Sequence, residues 1–122
     1  MQNGNLGSLR PLADQFELAS RAYVGKFDIQ RDPDWFILKL QEEVGELTQA
    51  WTRMTGRGRV GERTDAELKE ALADEVADVL GHIMLLALNW GVDLPPAVQR
   101  KWRFELEEGD PANSAWRSQW QI

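Results

Sequence analysis

The 122-residue chain contains no cysteine, which excludes disulfides, thiolate metal sites, iron–sulfur clusters and a cysteine nucleophile. Its one histidine, His82, excludes the usual zinc sets, which draw on two or three imidazoles when thiolates are missing. Positive charge is in deficit. Fourteen Lys and Arg stand against 20 Asp and Glu for a net charge of −6, which argues against nucleic acid or an anionic membrane as partner. The longest apolar stretch, around Ile83–Leu88, is far below the roughly 20 residues needed to span a bilayer. The opening MQNGNLGSLRPLADQ lacks a basic segment followed by an apolar run and is not expected to act as a signal peptide. No period-two alternation marks a strand, and no internal repeat is visible. What remains is an acidic chain with 43% hydrophobic residues, enough for a core and unlike a disordered segment. Its expected setting is cytoplasmic, as one all-α domain over residues 1–122.

Proline and glycine divide the chain into helices. Residues 1–8 are rich in Gly, Asn and Ser and are expected to fray. Leu12, Phe16, Ala19, Tyr23 and Phe27 recur at spacings of three and four, which predicts a first helix behind Pro11. Asp32-Pro33 predicts the start of a second helix running to about Thr55. GRGRVGER (56–63) then predicts a flexible basic loop. Thr64 and Glu67 are spaced for a capping box opening a third helix, which reaches about Trp90 before Gly91. Pro95-Pro96 opens a fourth helix, expected to end near Gly109-Asp110-Pro111, and a tail over 110–122 carries Trp116 and Trp120.

The second helix places Ile37, Leu40, Val44, Leu47, Trp51 and Met54 on one seam, and the third places Leu72, Val76, Val79, Ile83, Leu86 and Trp90 on another. Alternating steps of three and four predict long helices packed at a shallow angle, a four-helix-bundle-like core of antiparallel helices. A chain this short buries a modest core by itself, and six tryptophans suit further helix contacts, so oligomerisation is expected to complete the bundle. On each helix two acids precede successive seam positions: Glu43 and Glu46 on one, Glu75 and Asp78 on the other. If the helices are neighbours, four carboxylates converge. Such a group is costly unless protons or a hard divalent cation neutralise it. Oxygen ligands without imidazole or thiolate favour Mg²⁺, then Mn²⁺. The alternative is that these are ordinary solvated acids. Along the same stripes lie Lys39, Arg53 and His82, bases suited to the phosphates of a metal-bound polyphosphate.

QEEVGEL (41–47), followed by DEVADVL (74–80) and GVDLPPAVQRKW (91–102), resembles the paired acidic motifs of MazG-like all-α nucleoside triphosphate pyrophosphohydrolases. That superfamily includes the dimeric dUTPases and the dCTP pyrophosphatases. The resemblance covers about residues 33–105. It implies a homodimer or homotetramer that cleaves a nucleoside triphosphate between the α and β phosphates, releasing a monophosphate and pyrophosphate. It implies Glu43, Glu46, Glu75 and Asp78 as Mg²⁺ ligands. Glu42 matches an extra acid that holds further metal or orients water, and Glu42 or Glu46 would accept the water's proton. Lys101 matches a phosphate-binding lysine. Glu105 stands where the dCTP-pyrophosphatase branch has an asparagine, and Arg53 where it has a tryptophan, so the base is left undefined. Arg57, Arg59 and Arg63 are either lid residues over phosphates or solvated charges, and Trp51 is either a base-stacking residue or part of the seam. The rival class is a non-catalytic helical module for oligomerisation or ligand sensing.

Overall fold

A 3₁₀ turn at Gly7–Leu9 leads into four helices: α1 (Arg10–Lys26), α2 (Trp35–Met54), α3 (Asp65–Asn89) and α4 (Leu94–Trp102). The computed structural model describes residues 4–106, and among these the fold is all-α. The tail over 110–122, with Trp116 and Trp120, lies outside the described residues. No helix among the described residues is long and apolar enough to cross a membrane.

The chain divides into two compact units. Unit 1 comprises Met1–Tyr23 and Leu85–Ile122; unit 2 comprises Val24–Met84. In unit 1 the start of the chain is pinned rather than frayed from Gly4 onward. Gly4 N–H donates to the Leu88 carbonyl at 2.9 Å, and Leu94 N–H donates to the Asn5 carbonyl at 2.8 Å. Leu6 is fully buried. Position 4 requires glycine, because a Cβ there would collide with the backbone of Ala87 and Val92. Glu17 and Asn89 close the same unit: Asn89 Nδ2 donates to Glu17 Oε1 at 3.0 Å, and Arg21 Nε donates to Glu17 Oε2 at 2.7 Å. A buried carboxylate with both oxygens bonded avoids the penalty of an unpaired one.

Local sequence explains most helix ends. Glu67 N–H donates to Thr64 Oγ1 at 3.1 Å while Thr64 N–H donates to Glu67 Oε1 at 3.1 Å, the reciprocal capping box expected at the head of α3. These bonds hold the Glu67 carboxyl below its ordinary range. Gly91 has φ +66° just past α3, a conformation that costs glycine nothing. The second helix begins two residues later than Asp32-Pro33 suggests, with Asp32 Oδ1 accepting from Trp35 N–H at 2.9 Å. The fourth helix is much shorter than expected. It stops at Trp102, where Arg103 turns left-handed at φ 67° and its N–H donates to the Gln99 carbonyl at 3.0 Å. No glycine or proline marks that stop in the sequence, where the first such signal is Gly109.

In unit 2, α2 and α3 run antiparallel, as their contacts show: Trp35 and Glu43 meet His82, Glu43 lies beside Asp78, and Glu46 lies beside Glu75. Ascending numbers on one helix match descending numbers on the other. The inward face differs from the expected seam. On α2 it runs through Phe36, Leu40, Glu43, Leu47, Ala50 and Met54, and on α3 through Leu68, Leu72, Glu75, Val79 and His82, all buried or half-buried. The half of each seam at Ile37, Val44 and Trp51, and at Val76, Ile83 and Trp90, stays 41–52% exposed. Each helix keeps half of its expected seam inward and is turned by only about 50° of arc, half a residue step, toward its acids. Hydrophobicity alone favours Ile, Val and Trp over Phe, Glu and Ala, so the apolar pattern could not reveal this rotation.

Candidate metal centre

The rotation carries the acids inward. Glu43 is buried, Glu75 half-buried and Asp78 exposed, and one carboxylate oxygen of each lies within 4.8 Å of the others. Glu46 stands outside this triad and is exposed, but its carboxyl group is within hydrogen-bonding reach of both Glu43 and Glu75. The four acids expected to converge are therefore neighbours, three of them close enough to share one ion.

The triad is short of positive partners. Glu43 Oε2 and Glu75 Oε2 are buried and accept no hydrogen bond. Burial, then Glu46, then Asp78 push the Glu43 carboxyl up to about 7, against a smaller opposing pull from Lys39. Burial is also the leading cause that raises Glu75, followed by Glu46 and Asp78. Each shift records free energy spent on holding anions together away from water. A divalent cation at the meeting point of the three oxygens would neutralise that charge and satisfy the unpartnered atoms. An all-carboxylate donor set fits a hard ion such as Mg²⁺ or Mn²⁺.

The other oxygen of Glu43 faces bases. Lys39 Nζ lies 3.8 Å and His82 Nε2 4.0 Å from Glu43 Oε1. Lys39 also reaches Glu42 Oε2 at 3.4 Å, one helical turn away on the exposed side. Burial and the Lys39 charge hold His82 below its ordinary range, while Asp78 and Glu42 oppose them. The His82 ring meets the edge of Trp35 at 5.9 Å between centroids, and Arg31 stacks on Trp35 and Phe36. Trp35 and Arg31 carry no motif that marks them in the sequence, although Trp35 sits four residues before Lys39 on the same face.

The remaining candidates are placed differently. Arg53 is half-buried in the last turn of α2, ten residues past Glu43 and so about 15 Å further along the helix axis. Gly58 of the following loop comes close to Arg53: a Cβ there would lie 3.0 Å from Arg53 Cγ. Arg57, Arg59 and Arg63 are exposed on the loop after α2, where Arg57 donates to Thr55 Oγ1 and Arg63 to the Val60 carbonyl. Lys101 is exposed on α4 in unit 1, and Glu105 is exposed beyond it. Trp51 belongs to the exposed ladder of α2.

No protein-family profile, curated protein or solved structure matches the chain. The class defined here is accordingly the one the fold and the cluster supply: an all-α chain with a carboxylate triad on two antiparallel helices.

Proposed function

We propose that the chain is a Mg²⁺-dependent nucleoside triphosphate pyrophosphohydrolase, cleaving between the α and β phosphates to a monophosphate and pyrophosphate. The observation that carries this reading is the triad of Glu43, Glu75 and Asp78 within 4.8 Å, with buried oxygens of Glu43 and Glu75 left without partners. Mg²⁺, or Mn²⁺ in its place, supplies Lewis-acid stabilisation of charge on the phosphates and the leaving pyrophosphate. Glu43, Glu75 and Asp78 would hold the ion, with Glu46 as a fourth carboxylate beside them. Glu42 and Glu46 are exposed and stand outside the triad, and one of them is assigned to take a proton from attacking water. Lys39 and His82 flank the cluster on its basic side and are assigned to the phosphates; Arg53, about 15 Å further along the same helix, is assigned to the rest of a nucleotide. The resemblance of QEEVGEL and DEVADVL to the MazG-like enzymes supports the same chemistry.

The proposal includes a homodimer or homotetramer. Ile37, Val44 and Trp51 on α2, and Val76 and Ile83 on α3, form apolar ladders at a spacing of seven that stay about half exposed in one copy. Such ladders fit burial against a second copy in a completed bundle. A non-catalytic oligomerising or sensing module would share these ladders but release no product. Incubation with a panel of nucleoside triphosphates and Mg²⁺ separates the two, with release of pyrophosphate expected. Glu46→Ala and Asp78→Ala are each expected to lose most of that activity, and full activity in both variants would exclude this site.

A further inference from the structure

Lys39 stands where the acidic and basic halves of the site meet. It lies one turn before Glu43, and its side chain is about three-quarters buried, with 26% exposed. Its ammonium bridges Glu42 Oε2 at 3.4 Å and Glu43 Oε1 at 3.8 Å. The opposite oxygen of Glu43 is buried without a partner, and Glu43 is one of the three residues that can hold an ion. One carboxylate is thus contested by an internal cation on one side and a bound cation on the other. A lysine ammonium is a point charge on a flexible stem with three donors, so it can leave one anion for another without backbone movement.

We propose that Lys39 is an exchangeable counter-ion of the cluster. It neutralises Glu42 and Glu43 while no metal is bound, and it transfers to a phosphate oxygen when a divalent ion enters with a polyphosphate chain. The inference rests on the metal-site reading above and adds a selection rule to it. Lys39 repels a bare ion and gains a partner when the ion arrives with phosphate, so the site takes up the metal–polyphosphate complex in preference to the metal alone. The direction follows from electrostatics: a positive charge beside the ligand weakens bare-cation binding and strengthens anion binding.

The test compares wild type, Lys39→Met and Lys39→Arg. Binding of Mn²⁺ alone is followed by the loss of its free-ion paramagnetic resonance signal. Binding of a Mg²⁺-saturated α,β-methylene nucleoside triphosphate, which resists cleavage, is followed by calorimetry. Lys39→Met is expected to bind bare Mn²⁺ about five-fold more tightly and the nucleotide complex at least five-fold more weakly. Lys39→Arg, which keeps the charge, is expected to restore both toward wild type. A purely structural role would move both affinities the same way. Unchanged or weaker Mn²⁺ binding by Lys39→Met overturns the counter-ion role. Tighter Mn²⁺ binding with undiminished nucleotide binding overturns the transfer. Absence of Mn²⁺ binding by both wild type and Lys39→Met overturns the metal site itself, a failure distinct from the other two.

Discussion

Replacing Glu43 with glutamine is expected to stabilise the metal-free protein above neutral pH. Burial and its acidic neighbours raise the pKa of this carboxyl group from 4.5 to about 7. Between those values the folded chain keeps a proton that the unfolded chain has released. Stability from this group is therefore full below pH 4.5, falls as pH rises, and is lost above about 7. The gap corresponds to about 3 kcal/mol. Glutamine has the same shape and cannot ionise, so Glu43→Gln should match wild type near pH 4.5 and exceed it by up to about 3 kcal/mol at pH 8. The effect of His82, whose charged form burial disfavours in the fold, runs the opposite way. It is common to both proteins and largely cancels in their difference. Urea unfolding followed by tryptophan fluorescence, with a chelator and at fixed protein concentration, reads this at the two pH values. Adding Mg²⁺ at pH 8 should then stabilise wild type and leave Glu43→Gln nearly unmoved, because a ligand that binds only the folded state raises its stability. Equal or lower stability of Glu43→Gln at pH 8 without metal would refute the strained-anion account.

Other perturbations test the frame around the site. Gly4→Ala places a Cβ against the backbone of Ala87 and Val92, and thermal melting should show a loss of about 2 kcal/mol, the usual scale of an overpacked site. Thr64→Ala removes the hydroxyl that caps α3 and should cost about 1 kcal/mol in urea unfolding. Val44→Asp and Ile83→Asp put charge on the exposed apolar ladders. Sedimentation should show each variant reduced to a single copy, and an unchanged assembly would place the interface elsewhere.

How much of this was legible in the sequence depended on whether the signal was local. The capping pair Thr64 and Glu67, the stop at Gly91 and the extents of α1 and α3 follow from neighbouring residues, and the structure reproduces them. The sequence offered Glu43, Glu46, Glu75 and Asp78 as neighbours on condition that the two helices pack together; the structure brings Glu43, Glu75 and Asp78 within 4.8 Å by turning both helices toward their acids. The facing direction was not readable. Ile37, Val44 and Trp51 outrank Phe36, Glu43 and Ala50 in hydrophobicity, yet the second set is the one buried. A binary pattern finds an apolar stripe without saying what covers it. Nor could spacing show that Lys39 bridges two carboxylates, that Trp35 packs on His82, or that Gly4 is locked to the end of α3.

The rotation of α2 also separates two kinds of constraint on its sequence. Positions 37, 44 and 51 project about 100° away from 36, 43 and 50. A mutational library confined to the outer set can be screened for solubility while the carboxylate triad keeps its immediate surroundings. The inner set tolerates less, since Phe36 and Ala50 are buried and Glu43 is a member of the triad.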